Sequence, residues 1–223
     1  MTLHIFLLEC GVEVIPKRIR SHPSVKRNLN MRNYSSQLLD NALHHSAMRD
    51  FKNRSKRGRP DITHLCLLNA LGSPVNQSGN LRVYMHTIQN RLFEFNPEIR
   101  IAKNYNRFKG LMAKMLIDDG IKVDGTYLIE PVKKNLKEKL KEFKDAEILL
   151  FTEKGTPKFY NDLYERNSSQ DYVALIGGFQ KADFSNEVLN LTKTHISISE
   201  TPLNAWIVVS RAITYYEIAQ NVF

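Results

Sequence analysis

Tyr172-Val173-Ala174-Leu175-Ile176-Gly177-Gly178-Phe179 is an apolar run of strand length closed by a glycine pair. The sequence on either side repeats its form. Residues 146–151 make a short apolar strand, followed by Gly155-Thr156-Pro157 and an expected helix through Tyr164. Residues 195–199 make a third strand, and Pro202, at the first-turn position where proline is tolerated, opens an expected last helix to about Ala219. Strands alternating with helices predict a mostly parallel α/β sheet flanked by helices. Ligands of such sheets bind at the carboxyl ends of the strands, so the Gly177-Gly178 turn and the 199–203 loop are expected on one edge.

The first half adds different elements. Residues 3–8 read as a buried first strand, and residues 17–34 as loop plus a short helix broken at Pro23. Ser35 or Ser36 is expected to cap a helix running to about Met48 that exposes His44, His45 and Arg49. A second helix starts at Pro60, capped by Asp61 or Thr63, with Leu65, Leu67, Leu68 and Leu71 as its apolar face and Gly72 and Pro74 as its stop. Residues 81–87 and 91–95 alternate as a β-hairpin around Gln89-Asn90. Leu111, Met112, Met115 and Leu116 lie at helical core spacing before Gly120, and the lysine-rich segment 133–144 reads as an exposed helix laced with i,i+4 pairs.

Composition bounds the class. A chain of 223 residues, 42% apolar and 25% charged, is an ordinary globular protein able to bury a large core. Cys10 and Cys66 sit in apolar surroundings and suit reduced core residues better than a disulfide framework. No apolar run approaches the roughly 18 residues of a membrane span, and the opening segment lacks the basic leader of a signal peptide. A cytoplasmic location without membrane association is expected. Net charge is +9, and residues 1–112 carry 18 Lys/Arg against 7 Asp/Glu while the remainder is close to neutral. That polarity suits a protein holding a polyanion with one half.

Within the basic half, Lys52, Arg54, Lys56, Arg57 and Arg59 crowd into eight residues before Asp61. The run reads either as a solvated, partly mobile loop or as a footprint for a phosphate backbone. Pro60 restricts the backbone between Arg59 and Asp61, so the carboxylate is placed to set the guanidinium's direction. Arg100, Lys103 and Arg107 form a second constellation, interleaved with Tyr105 and Phe108. It is either an amphipathic helix start with Phe108 in the core or an extended arm offering rings to unpaired bases. No phosphate-binding glycine loop, zinc spacing or nucleophile elbow is present, and no metal is implied.

Several blocks together resemble one family. Arg59-Pro60-Asp61-Ile62-Thr63-His64, Ser73-Pro74-Val75-Asn76, the segment 81–87, Asn96-Pro97 with Arg100-Ile101, the segment 107–112, Gly177-Gly178-Phe179 and Ile196-Ser197-Ile198-Ser199 with Pro202-Leu203 are similar, in order, to the Nep/Emg ribosome-biogenesis proteins. These methylate N1 of a pseudouridine in small-subunit ribosomal RNA. The match is loose only in the first 35 residues and in 121–150.

The resemblance implies a SPOUT-class α/β fold with a C-terminal trefoil knot, one domain over 1–223, a basic RNA-binding part at about 17–112 and a cofactor-binding knot at about 146–223. It implies a homodimer, S-adenosylmethionine as cofactor, and a small-subunit rRNA stem-loop within a pre-ribosomal particle as partner. Carried over by position, the cofactor touches Thr152, Gly177, Ala182, Ile198, Ser199, Glu200, Thr201, Pro202 and Leu203. RNA contacts fall on Arg59, Arg100, Lys103 and Arg107, with Arg59 and Asp61 as the catalytic pair. Three positions depart from relatives: Ala182 replaces a glycine, Lys103 an arginine, and Gly72 an aspartate. Two other readings use the same basic half: a non-catalytic RNA-binding assembly factor, and a SPOUT methyltransferase acting on transfer RNA.

Overall fold

β1 (Leu3–Cys10) is the strand on which the sheet is built, because its apolar side chains are buried on both faces, Leu3, Ile5 and Leu7 on one and Phe6 and Leu8 on the other. A computed structural model describes residues 1–30 and 32–222; Met31, within the expected 17–34 loop, and Phe223 lie outside the described residues. After β1 come two short helices, α1 (Pro23–Lys26) and α2 (Asn41–His44), and the longer α3 (Pro60–Leu71) with α4 (Pro74–Gln77) behind it. The hairpin β2 (Leu81–Thr87) and β3 (Leu92–Phe95) precedes α5 (Tyr105–Asp118). Then follow β4 (Ile121–Val123), β5 (Thr126–Val132), α6 (Leu136–Leu140), β6 (Glu147–Pro157), β7 (Tyr172–Gly177), α7 (Asn186–Leu189), β8 (His195–Ser197) and α8 (Ala205–Gln220).

The eight strands form one sheet in the order β4-β5-β3-β2-β1-β7-β6-β8. From β2 to β8 all neighbours are parallel, and the β3-β5-β4 edge is antiparallel. Alternation on β1 decides the layers. Leu3, Ile5 and Leu7 join a core with Val83, Met85, Ala174 and Ile176 beneath α3, α5 and α8. Phe6 and Leu8 join a smaller core with Tyr84, Val173, Leu175 and the α6 residues Leu136 and Leu140. The hairpin turns at Asn90, whose φ of 58° suits asparagine.

β8 is held unusually. Ile196 pairs with Phe151 and again with Thr156, so β8 lies between two parts of the same strand β6. Gly155 makes this approach feasible, since a Cβ there would fall 2.6 Å from Ile196 Cα.

Five expectations are corrected. The helix expected over 35–48 is broken, because residues 37–39 pair in extended form with 13–15, through Ile15 N–H to Gln37 O at 2.7 Å and Leu39 N–H to Glu13 O at 2.9 Å. α2 starts only at Asn41, capped by Asp40 rather than Ser35 or Ser36, and His44 is buried. Neither Asp61 nor Thr63 caps α3, because Asp61 is engaged by Arg59; its buried face is Ile62, Cys66, Leu67 and Ala70, and Leu65 is exposed.

Beyond Gly155-Thr156-Pro157 only a 3-10 turn at Tyr160–Asp162 forms, because Lys158 N–H stays bonded to Ser197 O and continues the strand pairing. Pro202 does not open the last helix: Ser199 Oγ accepts the Thr201 N–H at 3.2 Å, which keeps 199–203 as loop until α8 begins at Ala205. The 133–144 segment is helical only over α6, whose Leu136 and Leu140 are buried, with Lys139 over the Tyr84 and Phe143 rings.

The close crossing at β8 gives a direct test. Gly155→Ala is expected to cost about 2–3 kcal/mol and lower the melting temperature by about 4–10 °C, because backbone must shift. Gly110→Ala, inside α5 with its nearest neighbouring atom 3.9 Å away, is expected to stabilise by about 0.5–1 kcal/mol. Thermal unfolding of both variants beside the parent checks the pair.

Candidate active site and nucleic-acid interface

The basic run is anchored by acids at the end of β1. Glu9 and Glu13 are buried, and each receives one cation of the run: Lys56 Nζ lies 2.6 Å from Glu9, and Arg57 bonds both oxygens of Glu13, its Nε at 2.6 Å. Between them Gly11 takes the Arg59 N–H on its carbonyl at 3.1 Å. A Cβ on Gly11 would meet the Lys56 carbonyl at 2.5 Å, so only glycine lets the run lie flat there. Arg57 also stacks on Phe51, as Arg18 does. The partly mobile loop expected for 52–57 is therefore corrected: Lys56 and Arg57 are structural ion-pair partners, because two buried carboxylates require neutralising.

Arg59 stands where this anchored run becomes α3. Its fixed backbone, followed by Pro60 at the first helical position, presents a guanidinium that bonds Asp61 with both arms, Nε–Oδ1 at 2.9 Å and the second nitrogen to Oδ2 at 2.7 Å. The hydrogen bonding it donates to Asp61 is the main reason its pKa is raised further. Two-point attachment fixes the plane of the guanidinium while leaving its remaining N–H groups outward.

Beside it lies a pocket of about 390 Å³ lined by Asn41, His45, Arg54, Ser55, Arg57, Arg59 and Gln180. Arg54 donates to His45 Nε2. Gln180 comes from the loop after β7, so this loop and the basic run share one cavity.

The other expected RNA residues lie on an arm and the helix that follows it. Residues 100–104 are irregular and α5 starts at Tyr105, capped by Asn104. Arg100, Lys103 and Arg107 are exposed, without side-chain partners among the described residues. The helix-start reading holds for the ring: Phe108 is core and stacks on His64 with ring centroids 4.2 Å apart, so it offers no face to a base, while the cations before Tyr105 sit on an irregular arm. His64 Nε2 meets the Ala102 carbonyl at 2.7 Å and so ties the arm to α3. Asp40 holds α5 from the other side, accepting from Tyr105 Oη at 3.0 Å and Lys109 Nζ at 3.2 Å. Burial of the Tyr105 hydroxyl, and after it the Asp40 charge, raise the Tyr105 pKa.

The expected cofactor residues gather at one sheet edge. Ile176, Phe151 and Ile196 form one rung across β7, β6 and β8. One residue further on stand Gly177, Thr152 and Ser197, with Ile198 to Leu203 leaving from the last. Gly177 is packed against the Phe179 and Phe184 rings, and a Cβ on Gly178 would run into the Cys10 thiol. Burial pushes the Cys10 thiol up to about 12, which leaves it inert. Ser197 Oγ donates to Ser199 O at 2.8 Å, and Arg211 of α8 reaches the Ile198 carbonyl at 3.4 Å, so the 198–203 loop is pinned at its base. Ala182 and Glu200 to Pro202 are exposed. Adjacent strand ends with the exposed 200–202 loop and the partly buried Ile198 and Leu203 beside them fit an adenosine-bearing ligand, while the space next to Gly177 and Gly178 is taken by Phe179, Phe184 and Cys10.

Glu9, Glu13, Asp40, His64 and Gln180 were not among the sequence candidates. The readable signal for the first two was an acid either side of Gly11 in an otherwise apolar stretch, facing a run of cations. Nothing local marked the others.

A strand-edge loop system set beside a cationic pocket, on a largely parallel sheet, defines an α/β protein that brings a small ligand towards a polyanion. The chain belongs to the EMG1/NEP1 methyltransferase family, whose model it matches over residues 5–217. It is 38% identical to the ribosomal RNA small subunit methyltransferase Nep1 of Staphylothermus marinus over 99% of this chain and 97% of that one. The Nep1 of Thermococcus kodakarensis is 36% identical over 97% and 98%. The crystal structure of Archaeoglobus fulgidus Nep1 bound to S-adenosylhomocysteine superposes with a TM-score of 0.84 at 33% identity, covering 98% of this chain and 99% of that one.

Two buried imidazoles, His44 and His86, and the half-buried His4 set a pH limit on this architecture. Burial lowers His4 from 6.5 to about 4 and also lowers His44 and His86, whose Nδ1 atoms accept the Asp40 and Glu9 N–H groups. The unfolded chain takes up protons near pH 6.5 that the native state refuses, so this stability is present above about pH 6.5 and is lost as pH falls towards 4. Denaturant midpoints measured from pH 8 down are expected to hold level and then decline across that window.

Proposed function

We propose that the protein transfers a methyl group from S-adenosylmethionine to N1 of a pseudouridine in small-subunit ribosomal RNA, within a pre-ribosomal particle in the cytoplasm. The observation that carries this reading is the Arg59–Asp61 fork in a pocket shared with the loop that leaves Gly177. It agrees with the names of the relatives and with the product-bound structural neighbour.

Thr152, Gly177, Ala182 and the loop from Ile198 through Ser199, Glu200, Thr201 and Pro202 to Leu203 would hold the cofactor, mostly by backbone, so alanine at 182 is tolerated. When bound, it supplies an electrophilic methyl on a sulfonium that leaves as a neutral thioether. The chain's own work is positioning and electrostatics. The target base must be unpaired or flipped to enter a pocket, which favours a stem-loop. Arg100, Lys103 and Arg107 hold its phosphates. N1 passes its proton to solvent as the N–C bond forms and the sulfonium's S–CH3 bond breaks, and the negative charge developing on the neighbouring carbonyl oxygens faces Arg59. Asp61 aims Arg59 by accepting both its arms.

We further infer one methyltransferase domain over 1–223, its basic part at about 17–112 and its knotted part at about 146–223. The double pairing of Ile196 supports threading of β8 through a loop of β6. A homodimer is supported by exposed apolar side chains on or beside the α3–α8 layer: Leu65, Tyr160, Ile218 and Phe159, the last 77% exposed.

Incubating the protein with S-adenosylmethionine and pseudouridine-containing hairpins of rRNA and tRNA sequence, then reading nucleosides by mass spectrometry, separates this reading from an assembly factor without activity and from a tRNA enzyme. Arg59→Ala is expected to reduce methylation at least about a hundredfold with cofactor affinity unchanged in calorimetry; loss of cofactor binding in that variant would sink the assignment. Lys103→Ala is expected to weaken hairpin binding for all sequences and to lower the slope of log K against log salt by about one. A filter-binding salt series reads both.

A further inference from the structure

Lys56 does more than neutralise an acid. It belongs to the run that carries Arg59, and its ammonium lies against Phe179 at one end of the cofactor-side loop, while its partner Glu9 meets the other end. Its nitrogen is 2.6 Å from Glu9 Oε2 and 4.8 Å from the centre of the Phe179 ring. The same Glu9 oxygen accepts the N–H of Ser185, the residue that caps α7 and ends the loop, at 3.4 Å. Phe179 in turn packs edge-on against Phe184 and lies on Gly177. Both ends of the 178–185 loop therefore meet one ion pair, and the other partner in that pair is part of the basic run.

The pair is sealed. Glu9 is 6% exposed and Lys56 7%. Glu9 also sits in the left-handed backbone region, with φ of 52°, which an L residue other than glycine adopts at a cost. Its own N–H goes to His86 Nδ1 at 3.4 Å. A strained backbone, a buried carboxylate and a buried ammonium persist together only where surrounding contacts over-determine them. Such elements have discrete arrangements rather than graded ones.

We propose that the Glu9–Lys56 pair is a positioning element that couples RNA binding to cofactor binding: RNA gripping the basic run sets the 178–185 loop, and a ligand at Gly177 sets the run. The inference rests on the functional reading above. Reciprocity follows from thermodynamic linkage, so each ligand must tighten the other by the same factor.

The variant for the test is the double substitution E9Q/K56M, which removes both charges at similar volume and leaves no buried ion unpaired. Calorimetry would measure S-adenosylhomocysteine affinity with and without a saturating pseudouridine hairpin, and hairpin affinity with and without S-adenosylhomocysteine. In the parent, each ligand is expected to tighten the other roughly five- to tenfold. In the variant, each ligand alone should bind within about twofold of the parent while the mutual enhancement disappears, and each KM measured with the other substrate saturating should rise by roughly the same five- to tenfold factor.

Enhancement surviving in the variant, or absent in the parent, overturns the coupling while leaving the methyltransferase reading intact. A parent that binds the hairpin but neither binds S-adenosylhomocysteine nor methylates overturns that reading first, and the coupling with it. If the variant does not fold, hydrogen exchange on the parent decides: hairpin added without cofactor should slow exchange across 177–185, and unchanged exchange there overturns the proposal.

Discussion

The structure depends on two carboxylates at the end of the central strand. Glu9 and Glu13 are buried where a strand leaves an apolar core, which is an expensive place for charge unless it is paired. The chain supplies the pairing from residues more than forty positions away, Lys56 and Arg57. Breaking either pair would leave a buried ion alone, at a cost of about 3–5 kcal/mol. A run of cations that would otherwise repel itself is thereby bound to the sheet, with Gly11 allowing the close backbone approach between the two pairs. Arg59 inherits a fixed position from this, since its N–H is bonded to Gly11 itself.

The second constraint is parallel pairing. Because β7, β6 and β8 run the same way and share the rung Ile176–Phe151–Ile196, the loops after β7 and β8, separated in sequence, leave the sheet on either side of Thr152 in β6. The 198–203 loop is held by Arg211 on the Ile198 carbonyl, and the 178–185 loop by Ser185 on Glu9 and by the exposed pair of Asp183 with Lys154 of β6. Methyl transfer in line tolerates little misplacement of its partners. A scaffold that fixes loop bases on a rigid sheet and leaves only their tips exposed meets that demand.

Charge is divided by task. The 32 Lys/Arg of the chain overstate the cations offered to a polyanion, although each ion pair leaves the formal +9 unchanged. Lys56, Arg57 and Lys109 are consumed by Glu9, Glu13 and Asp40, and Lys139 is laid over aromatic rings. Arg100, Lys103 and Arg107 remain exposed on an arm whose path is set by His64 and on the first turn of a helix held by Asp40. Long-range attraction and local geometry thus fall to different residues, and the first is screened by salt while the second is not.

Periodicity and turn chemistry determined much of this protein on their own. The strands at 3–8 and 172–177, the hairpin with Asn90 in its turn and the helix ending near Gly120 follow from side-chain alternation, core spacing and backbone preference, all of which act over a few residues. The Arg59-Pro60-Asp61 fork was legible for the same reason, since its geometry is confined to three positions. What the tertiary structure alone decided was every feature resting on a distant partner. The segment 35–48 is broken because residues 13–15 claim its backbone; the chain after Pro157 stays extended because Ser197 holds it; and Pro202 remains in a loop that Arg211 pins at Ile198 and Ser199 braces. Lys56 looked solvated in sequence and is buried in the fold, because the carboxylate that needs it is 47 residues earlier in the chain and only packing brings the two together.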